Sequence, residues 1–199
     1  MRLPWSPPGE WLRNAAAQGN AAAQHMLGNM CYGDQGMPQN YAEAARWWRQ
    51  AADQGHGGAQ NKLGRLYAAG QGVAQDYAEA AKWYRKSAEQ GYAAAQHGLG
   101  FLYENGHGVP RDETEAARWY RKAAETGDRG AQNNLGVLHA KGQGVPQDDV
   151  QAHLWLSLAA LRGDANAARN RDVVVARMTP SQIARAEALA AAWKPTTDQ

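Results

Sequence analysis

A single cysteine, Cys31, stands in 199 residues, so neither an internal disulfide framework nor a zinc site built on paired cysteines is possible. Serines are few: Ser6, Ser87, Ser157 and Ser181. Phe101 is the only phenylalanine. No one sign of charge dominates either. Lysine and arginine total 21 against 19 aspartates and glutamates, a net charge of +2, which gives no bulk drive toward nucleic acid or an anionic membrane. The longest apolar run, Leu154 to Leu161, is broken by Ser157 and ends at Arg162, well short of the about 20 residues a membrane-spanning helix needs. The first residues, Met-Arg-Leu-Pro-Trp-Ser-Pro-Pro, lack the apolar stretch of a secretory signal. The chain as given is therefore expected in the cytoplasm, or in the periplasm or outside the cell if a leader was removed. Only 8 prolines argue against a Pro-rich disordered chain. What the sequence does hold is 44% hydrophobic residues and 41 alanines, the material of closely packed helices.

The residues recur with a period of 36. Leu-Gly appears at Leu27-Gly28, Leu63-Gly64, Leu99-Gly100 and Leu135-Gly136. Trp11, Trp47, Trp83, Trp119 and Trp155 keep the same register, as do Ala23 through Ala167 and Gly19 through Gly163. Four independent markers in one register define a repeat architecture. Each unit reads as two helices. In the second unit, Ala59, Leu63, Leu66 and Tyr67 fall at i, i+4, i+7 and i+8, one face of helix A. Gly64 within that helix costs about 1 kcal/mol relative to alanine, so its recurrence predicts a close neighbour, with Trp83 expected in that contact. Gly70-Gln-Gly72 predicts a left-handed C-cap, and Val73 anchors the loop. Asp76 and Glu79 are spaced as a capping box for helix B, repeated at Asn40/Glu43, Asp112/Glu115 and Asp148/Gln151. Ala80, Trp83, Tyr84, Ser87 and Ala88 form the apolar stripe of helix B, and Gly91 closes it.

This pattern resembles the Sel-1-like repeat (SLR), a relative of the tetratricopeptide repeat. The resemblance rests on Ala59, Leu63-Gly64, Tyr67, Gly70-Gln-Gly-Val73, Asp76, Ala80, Trp83-Tyr84, Ala88 and Gly91, and it covers roughly residues 9 to 163. It implies an all-α fold, an α/α right-handed superhelical solenoid of 36-residue helix–loop–helix repeats. Cys31 and His139 replace the helix A tyrosine in the first and fourth units, and Asp34 replaces a loop glycine. The expected organisation is an N-terminal segment and half-repeat at 1–19, holding helix B only, with Trp5 and Pro7-Pro8 covering its end. Four repeats follow at 20–163 (20–55, 56–91, 92–127 and 128–163), then a capping helix pair and tail at 164–199. Thr179, Pro180 and Gln182 mark the start of the last helix and Pro195 its stop.

Chemistry is sparse. His25 and His97 share a repeat position two units apart, too distant to hold one metal at helix spacings of about 8–10 Å. No serine lies in Gly-x-Ser-x-Gly or precedes a lysine at the third position. Some exported, cysteine-rich members of the similar family are assigned penicillin binding or β-lactamase activity, but they carry paired cysteines that this chain lacks. Cys31 reads as a small buried residue. The Gly-x-Gly loops follow helices, not strands, and lack Gly-Lys-Ser/Thr, so they read as turns. The Trp series reads as core, and Glu43/Arg46 and Glu115/Arg118 as solvated helix-face pairs. Arg162, Arg169, Arg171, Arg177 and Arg185 are offset in part by Asp164, Asp172 and Glu187. No catalytic residue, cofactor or metal is expected.

The remaining surface is the outer face of helix A, which lines the concave wall when helix pairs stack. Like positions form three ladders: His25, Asn61, His97, Asn133; Asn29, Arg65, Phe101, Val137; and Tyr32, Ala68, Glu104, Ala140. The first can bond a peptide's polar backbone. The partner-binding residues expected are His25, Asn29, Tyr32, Asn61, Arg65, His97, Phe101, Glu104 and Asn133. The reading is a monomeric, non-enzymatic scaffold or adaptor for a protein or peptide partner, with no nucleic acid and no membrane insertion. The alternatives are an inhibitor or immunity-type partner of a secreted protein and a β-lactamase-like hydrolase.

Overall fold

The computed structural model describes residues 8–33 and 39–196, with residues 8 and 9 described by backbone alone. Among them are eleven α-helices and no strand. The chain falls into two compact units, Met1–Ala95 and Gln96–Gln199. Trp5, Pro7 and Asp34 lie outside the described residues.

The first unit holds α1 (Pro8–Ala17), α2 (Ala21–Gly33), α3 (Tyr41–Asp53), α4 (Gly57–Ala69) and α5 (Tyr77–Ala88). Each packs on the next. Helices α2 and α4 are helix A of the repeat; α1, α3 and α5 are helix B. The core joins Trp48, Ala51 and Ala52 of α3 to Ala59, Leu63 and Leu66 of α4, with Cys31 and Trp83 at its ends. A smaller cluster sets Leu12 and Ala16 of α1 against Ala23 and Leu27 of α2. Truncating a buried leucine such as Leu63 removes about 2–5 kcal/mol.

The second unit holds α6 (Ala93–Asn105), whose first turn falls at the boundary, then α7 (Glu113–Glu125), α8 (Arg129–Lys141), α9 (Asp149–Leu161), α10 (Ala165–Val175) and α11 (Pro180–Ala192). Helices α10 and α11 both pack on α9. Ala152, Leu156 and Ala159 of α9 meet Ala167 and Val174 of α10.

Local chemistry sets the helix ends, with one difference from the expected capping boxes. Asp76 Oδ1 accepts from the Ala78 and Glu79 amides, and Asp112 repeats this with Thr114 and Glu115. The return bond from the glutamate is not made. The Asp76 amide instead donates to the Tyr67 carbonyl at 3.0 Å, closing the A–B loop; Asn40 to Cys31, Asp112 to Tyr103 and Asp148 to His139 do the same. Glu79 turns to Lys82 and to the Trp83 indole N–H. Among the described residues only Thr179/Gln182, starting α11, forms the reciprocal box. The second loop glycine has two reasons to be glycine. Gly72 has φ +69, and a Cβ there would lie 2.3 Å from the Tyr41 carbonyl carbon at the head of α3.

In three of the four repeats the recurring helix A glycine faces an aromatic ring, but not the expected one. A Cβ on Gly64 would lie 2.8 Å from Tyr84, not Trp83; the counterparts are Trp48 on Gly28, Tyr120 on Gly100 and Leu156 on Gly136. One residue along a helix is a turn of about 100°, which carries Trp83 to another face. The Trp series is core only in part. Trp83, Trp119 and Trp155 are buried, Trp47 is partly buried, and Trp11 is 69% exposed. Trp83 is covered by Arg49 of α3 and by Lys86, whereas Trp11 belongs to the first described helix. Glu115 and Arg118 pair at 2.7 Å, while Glu43 and Arg46 form no ion pair among the described residues.

A buried glutamine follows the helix A alanine in every unit. Gln24, Gln60 and Gln132 each donate from Nε2 to a carbonyl in the last turn of the preceding helix B, those of Ala16, Ala52 and Ala124. These bonds give a second donor to helix-end carbonyls that also accept from the amide of the glycine just past each helix, Gly19, Gly55 and Gly127.

Candidate interaction surface

In the first unit the outer faces of α2 and α4 carry His25, Asn29, Tyr32, Asn61 and Arg65. His25 is half-buried and stacks on His56 at 4.5 Å between ring centroids. Burial, then His56 and Lys62, push its pKa down to about 4, so the ring is neutral at pH 7. Its Nε2 is buried without a hydrogen-bond partner among the described residues. Tyr32 sits 5.1 Å from Tyr41 and 5.4 Å from Trp48, and the exposed Arg65 guanidinium lies 4.7 Å over its ring. Asn29 and Asn61 are half-exposed, with no side-chain bond among the described residues. This face offers a planar cation on an aromatic platform, flanked by two amides with capacity to spare.

In the second unit the positions are more engaged. His97 lies between Asp128, 3.4 Å from Nδ1, and Asn134, 3.3 Å from Nε2. A Cβ on Gly130 would lie 2.4 Å from the His97 ring, so α8 approaches closely there. Glu104 accepts a 2.6 Å bond from the Tyr120 hydroxyl. Burial and that carboxylate together hold the Tyr120 phenol protonated well above its usual range. Asn133 donates to Asn134 and accepts from Asn170 of α10. Phe101 is 47% exposed, and its ring centroid lies 6.1 Å from that of His107.

Within this unit, therefore, His97, Glu104 and Asn133 have their polar groups in internal bonds, and Phe101 is left as the apolar projection. One residue of the wall escaped the sequence reading. Val173 on α10 stands one period after Val137 and is 68% exposed. It lines a depression of about 230 Å³ with Val137, Ala140 and Val174. The period-36 count would have found it, but the Leu-Gly marker is replaced there by Arg171-Asp172. Among the described residues no group of three or more His, Cys, Asp or Glu side chains could hold a metal ion. No described helix is long and apolar enough to cross a membrane.

Comparison with known proteins places these elements in a wider set. The Sel1 repeat model matches residues 10–20, 21–56, 58–92, 93–128 and 130–164. Among solved structures, c5321, a protective antigen of uropathogenic Escherichia coli strains displaying an SLR fold, is 36% identical with a TM-score of 0.85; the match covers 91% of this chain and 39% of that one. The chain thus spans about two-fifths of the antigen's length. A Sel1 repeat protein from Oxalobacter formigenes is 31% identical with a TM-score of 0.77, covering 96% of this chain and 81% of its own. A sel1 repeat protein from Klebsiella pneumoniae, at 23% identity and a TM-score of 0.53 over 83% of this chain and 82% of that one, shares the fold. No curated protein matches the sequence.

Proposed function

The chain belongs to the Sel1 repeat family, helical repeat solenoids that generally serve as protein-interaction scaffolds, and on that premise we propose that it is a non-enzymatic adaptor holding a peptide or protein segment against the outer faces of its A helices. The observation that carries this reading is Phe101. An aromatic ring left 47% exposed on a helix face whose polar neighbours are already bonded internally has the make-up of an interface anchor. In the other unit, Arg65 over Tyr32, beside Asn29 and Asn61, supplies a second contact of the type enriched in hot spots, an arginine on an aromatic ring. The internal bonds of His97, Glu104 and Asn133 support a role in fixing the wall as well as in touching the partner.

The test begins with a pull-down from the native host, which supplies the partner. Phe101→Asp is then expected to leave circular dichroism and melting nearly unchanged and to weaken capture by about 1–3 kcal/mol, the loss of an interface anchor. Unchanged capture would move the search to the helix B face bearing Arg46, Lys82 and Arg118. An unfolded variant would make Phe101 a core residue instead.

A further inference from the structure

Helix α9, which follows α7 and α5 in the 36-residue register as helix B of the last repeat, departs from α3, α5 and α7 at three positions spaced one turn apart. Where α3, α5 and α7 carry Ala45, Ala81 and Ala117, α9 has His153. Where they carry Arg49, Arg85 and Arg121, it has Ser157; where they carry Asp53, Glu89 and Glu125, the α9 line ends in Leu161. Residues at i, i+4 and i+8 share one side of a helix, and all three line a single cleft of about 560 Å³ walled by α9, α10 and α11. Exchanging a long arginine for serine opens the space. Exchanging an acid for leucine sets an apolar side chain, 79% exposed, on its wall.

Docking of α10 and α11 accounts for apolar residues on this face, but not for the polar ones that line the cleft. His153 is 4% exposed, and its Nδ1 lies 3.2 Å from the Ser157 hydroxyl. Burial, with Arg171 reinforcing it and Glu187 opposing, lowers the His153 pKa and keeps the ring neutral. Arg171 is paired with Asp172 at 3.1 Å. Glu187 therefore remains the one anion of the lining without an ion-pair partner among the described residues; Ile183 lies one turn before it on α11, and Val175 of α10 and Leu161 of α9 complete the apolar part of the lining. The volume falls in the range of about 300–1,000 Å³ typical of small-molecule sites, and it exceeds what one protein side chain would fill.

We propose that this cleft binds a small amphipathic amine, its aliphatic body against Val175, Ile183 and Leu161 and its ammonium group on Glu187, with the His153–Ser157 pair supplying a neutral hydrogen-bonding edge. The site is separate from the A-helix faces and does not depend on the adaptor reading.

The experiment uses the full chain at neutral pH, titrated with n-octylamine, n-octanol or sodium octanoate below their aggregation limits. Ile183 is the only isoleucine, so its methyl resonance reports the cleft alone. Octylamine is expected to shift it saturably, with octanol and octanoate at least about five-fold weaker. Glu187→Gln, at an exposed position, should weaken octylamine about five- to ten-fold with melting unchanged. Ser157→Arg, which restores the residue of the other B helices, should abolish the shift. The proposal is overturned if no probe saturates, if octanoate binds as well as octylamine, or if Glu187→Gln leaves octylamine affinity intact. Because Ser157→Arg alone could disturb folding, Glu187→Gln decides.

Discussion

Helix α5 buries six of its twelve residues along one stripe and presents Lys82 and Lys86 to solvent, with Glu89 exposed at its C-cap. Two units later, α9 holds the same place in the repeat and buries nine of its thirteen. Trp83 on α5 donates its indole N–H to Glu79 and is roofed by cations; the indole N–H of Trp155 on α9, like that of Trp119 on α7, is buried without a partner among the described residues. Tyr84 presses a ring on Gly64, whereas Leu156 fills the same place on Gly136. The extra burial of α9 comes from what packs outside it. Helix α9 has α10 and α11 against it, so residues that elsewhere meet water here meet protein. A repeat position therefore dictates geometry, and the neighbour dictates chemistry.

The largest test of that contrast is Trp83→Ala, expected to cost about 3–5 kcal/mol in urea unfolding because the ring is 2% exposed. Trp11→Ala, at the same repeat position but exposed, should cost within about 0.5 kcal/mol. Equal losses at the two sites would mean that the repeat position, not the neighbour, sets the energy.

A smaller effect separates the glycines. Gly64→Ala gains about 1 kcal/mol of helix propensity but drives a methyl into a rigid tyrosine ring, for a net loss of about 1–2 kcal/mol. Gly136→Ala meets Leu156 Cγ, on an aliphatic side chain that yields more readily than a ring, and the Ala152 carbonyl oxygen at 3.2 Å, so it should still lose stability but by less than Gly64→Ala, about 0–1 kcal/mol. If Gly64→Ala melts at or above wild type, ring contact does not explain the glycine.

The smallest effect is on pH. His25, His139 and His153 all have lowered pKa values, His25 to about 4, with burial the leading cause. The unfolded chain protonates them near 6.5, so between that pH and the folded values it binds more protons. Stability present above about pH 6.5 is then lost as pH falls. His153→Ala, which makes α9 resemble α5 at this position, should flatten the acid limb of stability against pH below about 6.5, read by urea unfolding at pH 7 and pH 5. An unchanged slope would remove His153 from the balance.

Much of this fold was legible in the residues because each marker answers a local rule: glycine where φ is positive, aspartate before helix B, leucine every helical turn. Gly70 as a left-handed cap, Asp76 as N-cap and α11 starting from Thr179 all depend on a few adjacent residues. The choice of Tyr84 over Trp83 as the neighbour of Gly64 depends on rotation about another helix. The glutamine row at Gln24, Gln60 and Gln132 was periodic but polar, and a search for apolar stripes passes over it. At the candidate surface, which side chains face outward could be read from spacing. That Asp128 and Asn134 claim His97, and Tyr120 claims Glu104, could not, since those partners come from other helices.

The bond from the helix B cap amide to the last core residue of helix A is made by main-chain atoms alone. It survives a change of that residue from cysteine at 31 to tyrosine at 67 and 103 and histidine at 139. The hinge of each hairpin is thus blind to the side chain that sits on it. Such a hairpin is an exchangeable cassette: its own joint travels with it when a unit is duplicated, deleted or recombined, and only the faces it shows to the neighbouring hairpins must be renegotiated.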